Sequence, residues 1–291
     1  MIGEQDNRGD FLTKIIFREV KYMELKEICK DIRCEIMNCI GSIGVGHLGG
    51  CLSVAEVLTV LYFKHMNVDP ANPKMEGRDR LVMSKGHAGP AVYATLAVKG
   101  YFPRSELLTL NKNGTHLPSH CDMNKTVGVD MTAGSLGQGF SCAVGIATAS
   151  KLSKDGAHVY AIIGDGESQE GQIWESAMFA SHRKLDNLIA FTDYNKYQID
   201  GSTDEVCSLG DLSAKWRAFG FDTVEVDGHD LEAIDQAITR AKTIEGKPKM
   251  IILHTVKGKG VDFIEAKKAG CHSMSITADE VKAAIEQIKR S

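Results

Sequence analysis

Residues 159–166 read Val159-Tyr160-Ala161-Ile162-Ile163-Gly164-Asp165-Gly166, and residues 188–197 read Leu188-Ile189-Ala190-Phe191-Thr192-Asp193-Tyr194-Asn195-Lys196-Tyr197. Each is a short apolar run that ends in turn-forming polar residues. Runs of this kind, without polar alternation, predict strands buried on both faces. Asp165 and Asn195 stand just past their runs, thirty positions apart. Parallel sheets bind ligands in a crevice beyond the carboxyl ends of their strands. The spacing therefore predicts that a carboxylate and a carboxamide meet at one spot, with a main-chain carbonyl just beyond. Oxygen donors of that kind suit a hard divalent cation that also grips phosphates: magnesium, or calcium or manganese in its place. An Asp-Gly turn alone is common; the second half at Asn195 is what gives the first its weight.

Working outward, the chain alternates. Strands are predicted at 158–163, 187–193, Thr223–Val226 and Met250–His254, with Leu81–Met83 as a short candidate. Helices are predicted at 170–184, 212–219, 230–243 and 277–289. Strand–helix alternation implies an α/β fold, a parallel sheet with helices on both faces. Before it, Glu19 to Ile40 places Val20, Met23, Leu25, Ile28, Ile32, Ile36 and Ile40 near helical spacing. Gly41 to Gly50 reads as a glycine-rich loop, Ser53 as the cap of a helix from Val54 to His65, and Pro90 to Lys99 and Phe140 to Leu152 as further helices. Asn111 to Thr132 is irregular and polar. No repeat, low-complexity tract or linker divides the chain, so residues 1–291 are read as one domain with a helical extension at its amino-terminal side.

Net charge is −4 over 291 residues, which gives no reason to expect nucleic acid or an anionic membrane. No apolar run reaches membrane-spanning length. Met1 to Asp10 is polar and lacks the pattern of a signal or transit peptide. The eight cysteines include no CxxC pair, so they are expected as reduced, mostly buried thiols in a cytoplasmic protein.

Four histidines lie in glycine- or serine-bearing loops: His47, His87, His120 and His272. Such imidazoles can bind oxyanions and move protons near pH 7. Their spacing does not resemble a zinc site. Glu167 and Glu170 follow the Gly164-Asp165-Gly166 turn, and Glu167 is read as a helix-start acid. Trp174, Met178 and Phe179 are read as core. Lys257-Gly258-Lys259-Gly260 lacks Walker spacing and is read as a solvated loop, and Gly134-Ser135-Leu136-Gly137-Gln138-Gly139 lacks the phasing of a dinucleotide loop.

In order and with compatible gaps, these blocks resemble the amino-terminal half of a transketolase, a thiamine diphosphate enzyme. The resemblance runs from about Ile32 to His272. It takes in Gly46-His47, Arg78 through His87, Gly128-Val129-Asp130 through Gly139, Gly164-Asp165-Gly166, Glu170-Gly171, Ile199-Asp200-Gly201, Val226 through Asp230 and Gly258-Lys259-Gly260. It is nearest to the short bacterial amino-terminal subunits, in which the enzyme is split between two polypeptides. The resemblance implies a thiamine diphosphate-binding fold. It implies that Asp165, Asn195 and the Tyr197 carbonyl hold magnesium, and that Gly166 and His87 contact the diphosphate. Gly134, Ser135 and Leu136 would line the aminopyrimidine, with Leu136 and Ile199 as apolar supports. His47, His120 and His272 would face substrate and reacting carbon, and Glu170 would lie at a subunit boundary.

The same resemblance implies transfer of a two-carbon ketol unit from a ketose phosphate to an aldose phosphate, as in the pentose phosphate pathway. It also implies that the pyrimidine-binding and carboxyl-terminal domains, with the glutamate that activates the cofactor, reside in a separate polypeptide. The expected assembly is a heterotetramer. A sulfosugar transketolase or a deoxyxylulose-phosphate-synthase-like enzyme would share the metal loop; a non-enzymatic scaffold would have no use for it. The sequence departs from the family pattern at Leu48, Lys85, Ser135, Ser119, Cys121, His254 and Ser273, and the substitutions beside His120 and His272 fall where the sugar would sit.

Overall fold

The computed structural model describes residues 6–291, with side chains from Tyr22 onward. The polar start read from Met1 to Asp10, and the place of Val20 in its stripe, lie outside the described side chains.

Five parallel strands form the central sheet: β1 (Arg80–Met83), β2 (Val159–Gly164), β3 (Leu188–Tyr194), β4 (Asp222–Asp227) and β5 (Lys249–His254), in the spatial order β1-β2-β3-β5-β4. Helices α1 (Asp6–Gly41), α2 (Leu48–Leu52), α3 (Ala55–Val60) and α4 (Gly89–Lys99) precede β2 together with α5 (Gln138–Ser153). Helices α6 (Gly171–His182), α7 (Leu212–Ala218), α8 (Leu231–Thr243) and α9 (Ala278–Arg290) follow.

Side chains alternate across each strand, so each strand feeds two cores. Tyr160, Ile162, Ile189, Phe191, Ile251 and Leu253 pack under α1, α3, α4, α8 and α9. Val159, Ala161, Ile163, Leu188, Ala190, Met250 and Ile252 pack under α5, α6 and α7. The strand order follows from handedness. The step from β2 to β3 and the longer step from β3 to β4 travel one way, with α6 and α7 on one face. The return from β4 to β5 travels the other way, so its helix α8 must lie on the opposite face to stay right-handed, and it does.

Several expectations need correction. Leu48–Leu52 is helical and wholly buried rather than loop, because Leu48, Cys51 and Leu52 belong to the core. Ser53 caps no helix: its hydroxyl reaches Asp193 at 2.7 Å, and Val54 precedes α3 instead. The predicted Val54–His65 helix divides, with Leu61–His65 wound as a π-helix. Met178 and Phe179 are not core: they are 58% and 48% exposed on the outer side of α6. Met23 is likewise exposed, whereas Leu25, Ile32, Ile36 and Ile40 are buried as the stripe predicts. No helix among the described residues is long and apolar enough to cross a membrane.

Candidate active site

The parallel pairing of β2 with β3 runs to Gly164 opposite Asp193, and the Asp165 amide still donates to the Asp193 carbonyl at 3.3 Å. That pairing delivers the two turns to each other. The Asp165 carboxylate accepts from the Gly166 amide at 2.8 Å and from the Lys196 amide across the gap. In the second turn Lys196 takes a left-handed φ of 68°, and the Asn195 Oδ1 accepts from the Tyr197 amide at 3.1 Å. The predicted meeting of Asp165 with Asn195 and Tyr197 is therefore present as geometry. Burial, then the neighbouring Asp193 charge, pushes the Asp165 carboxyl up to about 7. A divalent cation beside it would reverse that shift.

The chemistry of the donor set fits such a cation: one carboxylate, one amide oxygen and one main-chain carbonyl, all oxygen. A cation is already drawn to it. Lys257 Nζ donates to the Tyr197 carbonyl at 2.7 Å and lies 3.0 Å from His272 Nδ1. Lys257 is only 4% exposed, so the reading of its loop as solvated is overturned. It is buried because α2 lies against it: a Cβ on Gly49 would stand 2.8 Å from Lys257 Cγ and 2.5 Å from Cys271 Sγ. Among the described residues no three His, Cys, Asp or Glu side chains form a metal cage, so this oxygen set is the candidate.

The four histidines converge. Ring centroids are 5.3 Å apart for His47 and His87, 6.0 Å for His47 and His120, 5.5 Å for His47 and His272, and 4.9 Å for His87 and His272. Burial, reinforced by Lys85 and the neighbouring rings, holds His87 well below the usual imidazole range. Burial and Lys257 bring His272 to about 3, and burial with His120 and Lys257 lowers His47. These three rings are thus neutral at pH 7. Lys257 donates to His272 Nδ1, which leaves the His272 proton on Nε2.

The glycines bring loops together. A Cβ on Gly86 would lie 2.5 Å from the Ala133 carbonyl oxygen and 3.0 Å from the Gly134 amide, so loop 134–136 reaches the neighbourhood of His87 only because residue 86 has none. Glu167 clamps that loop to the metal turn. It is buried, and accepts from the Gly137 and Gly164 amides, each at 2.9 Å, and from Ser84 Oγ at 2.5 Å. Its reading as a helix-start acid is too weak: it is a three-way tie. Gly134, Ser135, Glu170 and Ile199 stand exposed around this ring of loops, Ile199 at 69%. Leu136 is half-buried, and Gly166 backs onto Gln198. Glu170 touches none of the metal-turn groups through any hydrogen bond; its Cβ region packs near Gly137.

Sequence reading missed Lys257, Lys85 and Asp193. Lys85 and Asp193 form an ion pair at 2.5 Å with exposures of 1% and 0%. The only cue was lysine in the position before Gly86-His87, an unusual place for a charge that packs inward. A larger cavity of about 1090 Å³ lies elsewhere, beyond loop 256–260, bordered by Lys30, Arg33, Glu56, His229 and Lys259. There Arg33 and Glu56 already neutralise each other at 2.5 Å, and it shares no residue with the histidine cluster.

Comparison with known proteins agrees with this geometry. Residues 25–289 match the family described as transketolase, thiamine diphosphate binding domain. A 6-deoxy-6-sulfo-D-fructose transketolase subunit of Clostridium sp. (strain MSTE9) is 56% identical over 92% of this chain and 97% of its own. One of the two apulose-4-phosphate transketolase subunits of Phocaeicola vulgatus is 39% identical over 93% and 95%. Mouse transketolase is 36% identical, over 92% of this chain but 42% of its own length. Among solved structures, transketolases of Pichia stipitis and Campylobacter jejuni superpose with TM-scores of 0.83 and 0.84 at 33% and 30% identity. Each covers 91% of this chain, which spans only 40% and 42% of theirs.

Proposed function

Because the chain belongs to the transketolase family, we propose that it forms the diphosphate- and metal-holding part of an enzyme that moves a two-carbon ketol unit from a ketose to an aldose. The observation that carries this reading is the meeting of Asp165 with the Asn195–Tyr197 turn beside the histidine cluster. Asp165, Asn195 and the Tyr197 carbonyl would hold magnesium, or calcium or manganese. Gly166 and His87 would contact the diphosphate; Gly134, Ser135, Leu136 and Ile199 would flank the aminopyrimidine. Bound there, thiamine diphosphate would supply the carbanion chemistry that carbon–carbon cleavage of a ketose requires.

The chain's own groups do the rest. A neutral His272 with its proton on Nε2 donates a hydrogen bond to an oxygen that gains negative charge, as do His47 and His120; such donors stabilise most where charge develops. Burial keeps water away and strengthens each of these bonds. Glu170, exposed on the rim, would face a second polypeptide that completes the site. Support for that partner comes from the relatives of matching length, which are named as subunits. We place the assembly, a heterotetramer, in a reducing compartment such as the cytoplasm, where its eight free thiols persist.

The donor that fits best is a sulfonated ketose such as 6-deoxy-6-sulfo-D-fructose, on the strength of 56% identity against 39% for the apulose-4-phosphate relative. A ketose phosphate is the second reading, favoured by that 39% relative of matching length, whose name carries a sugar phosphate. Co-expression with the partner and an assay on both donors decides between them. The cofactor site is tested through Trp174, whose indole donates to the Ser168 carbonyl on the metal turn. Thiamine diphosphate with magnesium should change its fluorescence in the wild-type chain and not in Asp165→Ala; an unaltered titration in the variant refutes the metal assignment.

A further inference from the structure

Asp193 lies one step inside the turn that carries Asn195, at the end of β3, and is fully buried. It is neither a candidate ligand nor near the surface, yet its carboxylate accepts four hydrogen bonds. The donors are Lys85 Nζ at 2.5 Å, Ser53 Oγ at 2.7 Å, Asn195 Nδ2 at 2.9 Å and Thr255 Oγ1. Those donors come from four different segments. Lys85 is two residues before His87. Ser53 follows α2, which begins next to His47. Thr255 is two residues before Lys257. Lys85 also donates to the Gly50 carbonyl at 2.7 Å, closing the ring.

An ionised carboxylate has about four lone-pair sites; here all are used, and the use is directional. With its nitrogen fixed by Asp193, the Asn195 amide turns its oxygen toward the Tyr197 amide and the turn that faces Asp165. A half-turn of that amide would set oxygen against carboxylate and N–H against N–H, both repulsive. We propose that Asp193 is a positioning residue of the cation site: it orients the Asn195 amide oxygen-outward while Lys85 balances its charge. The proposal rests on the reading of Asn195 as a cation ligand.

An asparagine at 193 keeps the shape but offers one acceptor atom and two protons, one of which must face a donor. Groups that orient a metal ligand through its far atom typically change metal affinity by about 10- to 100-fold when replaced. The full-length chain is titrated with Mn2+ in the presence of thiamine diphosphate, and free Mn2+ is counted by electron paramagnetic resonance. Asp193→Asn should bind Mn2+ about 10- to 100-fold more weakly than wild type. Because it strands the Lys85 ammonium, it is compared with Asp193→Asn/Lys85→Met, which buries no lone charge. The double variant should regain the thermal midpoint but not the Mn2+ affinity. A purely structural role would restore both together, and that result overturns the proposal, as does wild-type affinity in Asp193→Asn; both leave the cofactor reading intact. A wild-type chain that takes up no Mn2+ removes the cofactor reading and this inference with it.

Discussion

At the scale of single residues, the histidine cluster links site chemistry to stability. His47, His87 and His272 each sit below the ordinary 6.5, His272 at about 3. Above 6.5 the rings are neutral in both folded and unfolded chains. Below it the unfolded chain takes up protons that the folded chain refuses, so stability falls as pH drops from 6.5 toward 3. The thermal midpoint of the metal-free chain should therefore stay level above about pH 7 and decline below it. His272→Gln, which removes one such ring, should show a shallower decline; an identical slope would show that carboxylates elsewhere control it. Single residues were also where sequence reading ran short. Asp165, Asn195 and the histidines announce themselves through turns and glycines. Lys257, Lys85, Glu167 and Asp193 do not, because what makes a buried charge tolerable is a partner many residues away. Lys85 and Asp193 are 108 positions apart, and Lys257 meets the Tyr197 carbonyl across 60.

At the scale of elements, the strands were legible because burial on both faces leaves uninterrupted apolar runs. The predicted ends of β2, β3 and β5 fall within a residue or so of those observed. Leu48–Leu52 was not legible, since its two glycines argue for loop by propensity while the core and Cys271 demand a close-packed helical turn. α5 shows the same override with a measurable consequence. A Cβ on Gly139 would fall 2.6 Å from Ser84 Cα, where α5 crosses the end of β1. On an open helix Gly→Ala gains up to about 1 kcal/mol. Here backbone must shift, so Gly139→Ala should lose about 1–3 kcal/mol in urea unfolding. A gain in stability would mean that the helix can slide away from Ser84.

At the scale of the whole molecule, the five carboxyl-terminal strand ends and their loops make one rim, and that rim is open around Gly134, Ser135, Glu170 and Ile199. An exposed Ile199, together with Met178 and Phe179 on α6, is apolar surface of the kind that marks interaction sites. Purified alone with thiamine diphosphate, magnesium and a ketose, the chain should therefore show no ketol transfer, and activity should appear on adding the second polypeptide. Full turnover by the lone chain would refute the two-polypeptide reading.

The ammonium that rests on the Tyr197 carbonyl gives this rim a resident placeholder. A protein that waits for its ion with a tethered positive charge in the berth does not fill a void on loading; it trades one cation for another. The turn stays shaped in the meantime, and the displaced lysine arrives free to meet whatever anion the incoming metal brings with it.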